Sequence, residues 1–101
     1  MDALPRGAGT GIRLNLGKAI KSIRYEMEIS QEELAGRAGL HRTYISDIER
    51  GSRNPSLESI EKLALALGIS MPLLFERVTN QGGGNGVSFQ HKAEIISAKR
   101  T

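Results

Sequence analysis

The strongest constraint on this chain is the punctuation of its middle. A capping serine or a glycine falls at Ser30, Gly39, Gly51, Ser56, Gly68 and Ser70, so every helix between them is limited to about three turns. Ser30 followed by Glu33 makes a capping box, and Ile29 with Leu34 can close a hydrophobic staple around it. The helix so opened carries Leu34, Ala35 and Ala38 on one face. Gly39 can take the left-handed conformation that stops it. Leu40 follows as an apolar anchor, and the next helix sets Ile45 and Ile48 at core spacing. Arg42, Thr43, Tyr44, Ser46 and Asp47 are left on its other faces, and Gly51 ends it. Ala35 and Gly39 are small, as close packing of these two helices requires.

The same grammar extends in both directions. Asn54-Pro55-Ser56 breaks the chain, and Ser56 caps a further helix with the stripe Leu57, Ile60, Leu63, Ala64 and Leu67. Gly68 ends that helix, and Ser70 caps a last one with Pro72 in its tolerated first turn. Upstream, Leu16, Ile20, Ile23 and Met27 predict a first helix from about Leu16 to Met27. The expected fold is therefore all-α, five short helices around one core over residues 14–78, with no strand needed. A chain of 101 residues with 4% aromatics and no Trp must fill that core with aliphatic side chains. Residues 1–13 hold Pro5 and several glycines and are expected to be a flexible N-terminal arm, with Arg6 and Arg13 free to reach a partner. Residues 79–101 read as a Gly-rich linker and a disordered tail. A phosphate-cradling loop at Gly82–Gly86 is rejected, because no Lys-Ser/Thr follows it and no strand precedes it.

Composition removes several classes of function. Without cysteine there is no disulfide framework and no thiolate metal site. His41 and His91 make no paired imidazole for a metal, and helix geometry separates His41, Ser46 and Asp47, so no catalytic relay assembles. The expectation is a non-enzyme with no metal and no cofactor. Apolar runs are too short to span a bilayer and the first residues lack a secretory signal, so the chain reads as cytoplasmic, with no membrane partner. A net charge of +3 and a pI near 9.6 invite a nucleic-acid reading. Leu16–Arg77, however, carries nine basic and nine acidic residues, so the excess lies in the two ends. Local placement matters more: Arg42, Arg50 and Arg53 gather near one helix, while Glu26, Glu28, Glu58 and Glu61 lie elsewhere.

Two short helices joined by a tight turn, the second dressed in hydrogen-bonding side chains, form a helix-turn-helix. The stretch SQEELAGRAGLHRTYISDIERGSRNPSLESIEKLALALGIS resembles the Cro and lambda-repressor type of this motif, the XRE family. Its RTYISDIERGSRNPS portion is especially similar to the controller proteins of restriction–modification systems. The likeness covers Leu16 to Glu76. It implies a five-helix lambda-repressor-like DNA-binding domain, and a sequence-specific transcriptional regulator acting as a homodimer on a near-palindromic operator. The implied partners are double-stranded DNA and a second copy of the chain, with half-sites about 34 Å apart. The competing reading is an antitoxin or other protein-interaction module whose C-terminal tail folds on a protein partner.

Candidate DNA-binding residues follow from the way a recognition helix enters the major groove, N-terminal end first. Arg42 can make two bonds to guanine, and Thr43 offers a hydroxyl and a methyl. Tyr44 offers a phenol or a ring, and Ser46 and Arg50 lie along the same helix. Asp47 would repel phosphate unless aimed at a cytosine amino group or paired with an arginine. By resemblance, Arg53 contacts DNA just beyond the helix, and Gln31 meets a phosphate at the start of the preceding one. The resemblance also pairs Arg24 with Glu49, a fork on a carboxylate. Glu28 departs from the family's glycine, at about 1 kcal/mol if the position is left-handed. Leu73, Leu74, Phe75 and Val78 give the last helix more apolar surface than one stripe requires, and by resemblance this region forms the dimer contact.

Overall fold

Serine hydroxyls open three of the five helices. The computed structural model describes residues 6–81, with side chains from residue 11 onward. It contains α1 (Arg6–Glu26), α2 (Gln31–Ala38), α3 (Arg42–Glu49), α4 (Leu57–Leu67) and α5 (Met71–Asn80), and no strand among the described residues. Ser30, Ser56 and Ser70 each accept the backbone N–H three residues on, from Glu33, Ser59 and Leu73. Each bond satisfies one of the donors a helix start leaves open. The expected capping box is only half made, because the Glu33 carboxylate accepts from Arg37 Nε at 3.0 Å. Gly39 and Gly68 take left-handed φ values of 69° and 73° and stop α2 and α4.

These caps turn every apolar stripe toward one interior. Ile20, Leu34, Ile45, Ile48, Leu63, Leu74 and Val78 are the largest fully buried side chains, drawn from all five helices. Met27, Ile29, Leu40, Ile60 and Phe75 pack partly buried against them. α1 lies against α3 and α5, while α2 lies against α3 and α4. The core is aliphatic, as the aromatic-poor sequence requires.

Four expectations are corrected. The first helix begins at Arg6 rather than Leu16, so residues 6–13 continue α1 where an arm was expected. Extension of a helix that already exists needs no new nucleus, which offsets the cost of its glycines. Packing holds its later part, since Leu14 rests on the bare backbone of Gly51, and Ile12 lines a small cleft with Pro55 and Phe75. Leu57, expected in the core stripe, is 70% exposed, because the first residue of α4 stands outside the contact that Ile60 and Leu63 make. Gly39 is not a packing residue: a methyl group there would meet nothing within 4 Å, and its glycine serves only the left-handed turn. α5 continues through Asn80, past the expected boundary at residue 79. Residues 1–5 of the arm, and 82–101 of the linker and tail with His91, lie outside the described residues.

Candidate nucleic-acid interface

α3 is an eight-residue helix with two buried residues, Ile45 and Ile48. Anchoring by that pair fixes the rotation of the whole helix. Arg42 and Thr43 are exposed at its start, Tyr44, Ser46 and Asp47 are half-buried along its flank, and Arg50 and Arg53 are exposed beyond it. His41 takes the N-cap position in extended backbone and makes no side-chain cap bond.

The end of α3 is pinned from beneath. Arg24, on α1, is buried in the core. Its guanidinium donates to both carboxylate oxygens of Glu49, Nε to Oε2 at 2.8 Å and Nη2 to Oε1 at 3.0 Å. Its third nitrogen, Nη1, donates to the Ile29 carbonyl at 2.9 Å. The hydrogen bond to Glu49 is the chief cause that holds the Arg24 pKa above its ordinary value, against the opposing effect of burial. The fork expected from the resemblance is thus formed, and it joins α1, the α1–α2 turn and α3 at one point. Nearby, Gly17 lets α1 touch α3 directly: a Cβ there would sit 2.3 Å from the Ile48 carbonyl oxygen.

Gln31 carries this network to the surface. Its amide nitrogen donates to Glu49 Oε1 at 3.0 Å, and its amide oxygen accepts from Arg42 Nη1 at 3.3 Å. The residue expected to meet a phosphate therefore also braces the leading arginine of α3.

A second cluster forms on the outer flank of α3. Asp47 accepts from Arg50 through one carboxylate oxygen and from Arg53 Nη2 through the other, the latter at 3.2 Å. Arg50 Nη1 donates to Ser46 Oγ at 2.6 Å. The Arg53 guanidinium lies over the Tyr44 ring, 4.8 Å from its centroid, a cation–π distance. Asp47 is thus paired with arginine, one of the two arrangements foreseen for it. Thr43, Tyr44 and Arg53 also wall an open hollow of about 550 Å³, completed by Leu40, His41 and Ser59. The eight candidate DNA-binding residues thus share one surface, built from the start of α2, α3 and the loop after it.

The expected dimer residues do not stay together. Leu74 and Val78 are 0% and 1% exposed in the chain's own core and are unavailable to a partner. Leu73 is 46% exposed and Phe75 half-buried. Helical periodicity cannot say which face of an all-apolar turn is spent internally, and here Leu74 and Val78, one turn apart, are the pair spent. Sequence reasoning also missed Gly17, and the surface link in which Arg77 on α5 donates to Glu26 at 2.6 Å and to Ser22 at 3.2 Å on α1. Among the described residues, no three His, Cys, Asp or Glu side chains gather in a metal-binding group, and no helix is long and apolar enough to cross a membrane.

Known proteins resemble this chain in sequence and in fold. The control protein C.BamHI of Bacillus amyloliquefaciens is 51% identical over 69 residues, which are 67% of this chain and 85% of that protein. The crystal structure of the restriction–modification controller C.AhdI from Aeromonas hydrophila is 42% identical. It covers 61% of this chain and 94% of its own, with a TM-score of 0.60. The controller C.Esp1396I, solved as a tetramer with its natural 35 base-pair operator, is 40% identical over 66% of this chain and 88% of its own, with a TM-score of 0.63. A helix-turn-helix family model matches residues 20–74. With more than half its length in that match, this chain belongs to the helix-turn-helix family.

Proposed function

We propose that the chain is a sequence-specific, DNA-binding transcriptional regulator of the restriction–modification controller kind, acting as a homodimer on a near-palindromic operator. The observation that carries this is the orientation of α3: its two isoleucines are buried while Arg42 and Thr43 stand exposed at its leading end. In the major groove Arg42 would take a guanine edge through two bonds, with Thr43 beside it. Arg53 would contact the next bases, with Tyr44 supporting it. Ser46 and Arg50 lie along the flank, and the start of α2 at Gln31 faces a phosphate. Support also comes from C.Esp1396I, whose solved complex holds operator DNA. The second protomer would meet this one through exposed apolar surface of α5, with Leu73 its most accessible aliphatic residue.

Fluorescence anisotropy with duplexes from the DNA upstream of the chain's own gene tests the reading. Wild type is expected to prefer one duplex over a scrambled copy. Arg42→Ala should remove about 1–3 kcal/mol of that preference, the value of a bidentate arginine–guanine contact, while binding to scrambled DNA changes little. Equal affinity for both duplexes, with Arg42→Ala indistinguishable from wild type, would defeat the proposal.

A further inference from the structure

The arginines of the recognition surface differ in how they are held. Arg42 leans on the neutral amide of Gln31. Arg50 and Arg53 share one carboxylate, each bonded to a different oxygen of Asp47. Glu49, the other acid of α3, is committed to Arg24 beneath the surface. Asp47 is thus the single negative charge left on α3 to set against two cations. Its side chain is 20% exposed, against 62% for Arg50 and 48% for Arg53, so the carboxylate sits behind the guanidinium groups.

We propose that Asp47 determines specificity by restraint rather than by contact with a base. The inference rests on the DNA-binding reading above. A phosphate that takes Arg53 or Arg50 brings a negative charge close to Asp47 and is repelled by it. A guanine edge is neutral and accepts from the same guanidinium without that repulsion. Asp47 therefore penalises binding through the sugar–phosphate backbone alone more than binding to the correct bases. It also holds Arg53 Nη2 while the same guanidinium lies over the Tyr44 ring, 4.8 Å from its centroid.

The test compares wild type with Asp47→Asn, which keeps the size and one carbonyl acceptor but removes the charge, on operator and scrambled duplexes over a range of salt. Each phosphate neutralised adds about 0.9 to the salt slope, so one further phosphate tightens binding about eightfold at 0.1 M salt. Asp47→Asn is expected to tighten scrambled binding by about that factor and to steepen its salt slope by about 1. The operator should gain less, so the operator-to-scrambled ratio falls. Glu61→Gln, the same charge change on α4, should leave that ratio as in wild type. Nitrogen relaxation of the Arg53 Nε in the DNA-free chain supplies an independent readout, with greater mobility expected in Asp47→Asn. A tenfold loss of operator binding with scrambled binding unchanged would mean that Asp47 itself reads a base and would overturn the proposal. So would unchanged affinities, or an Arg53 no more mobile than before. Wild type that fails to discriminate between the duplexes would remove the regulator reading itself, an outcome distinct from all of these.

Discussion

Gly17 and Glu28 show how single positions set the stability of this domain in opposite directions. A methyl group at residue 17 would lie 2.3 Å from the Ile48 carbonyl oxygen and 2.7 Å from that of Glu49, both backbone atoms that cannot swing aside. Gly17→Ala is therefore expected to cost about 3 kcal/mol, at the upper end of overpacking penalties, read as a lowered midpoint in urea. Glu28 has φ of 59°, in the left-handed region where a side chain is strained. Glu28→Gly should raise stability by about 0.5–1 kcal/mol, the strain relieved less the extra freedom of the unfolded chain. An unchanged or lower melting temperature would contradict it. The Glu28 strain was legible because the residue stood where relatives carry glycine. Gly17 was not legible, since a glycine inside a helical pattern leaves no local mark when its reason lies on another helix.

Between elements, polar links do what apolar stripes cannot: they fix register. The Arg24–Glu49 fork is enclosed on both sides, with side chains 8% and 3% exposed. Removing one partner leaves a buried charge, so Glu49→Ala should destabilise by about 3–5 kcal/mol. Because Gln31 then loses its acceptor, the same change should also loosen Arg42. The α1–α5 link behaves differently, being solvated. The hydrogen bond from Arg77 is the largest cause lowering the Glu26 pKa. A carboxylate with a depressed pKa in the folded chain adds stability that is full above its unfolded pKa and disappears as pH falls through the folded one. Glu26→Gln should therefore melt below wild type at pH 7, and the two curves should converge in acid; a gap that persists in acid would refute this. Helix ends were legible where serine or glycine marks them locally, which covers both ends of α2 and α4 and the start of α5. The start of α1 carries no such mark, and Leu14 against Gly51 is a contact across the fold that no window of sequence displays.

At the scale of the whole molecule, the question is which apolar surface remains once the core is complete. Leu74 and Val78 are consumed inside the chain, and Leu73, one residue away, is left 46% exposed. These neighbours should separate folding from assembly. Leu74→Ala deletes a fully buried side chain and should cost about 2–5 kcal/mol of stability, seen as a lower melting temperature at any protein concentration. Leu73→Lys removes little from the core and places a charge where a second protomer would lie. Its melting temperature at low concentration should match wild type, while sedimentation equilibrium shifts toward monomer. Loss of pairing also abolishes the effective concentration that one bound protomer lends the other. Affinity for a duplex with two half-sites should then fall toward that for one half-site, whereas affinity for a single half-site stays unchanged. A Leu73→Lys chain that sediments as wild type would move the protomer contact off α5, and the exposed Leu57 and Leu65 of α4 would be the next surface to substitute.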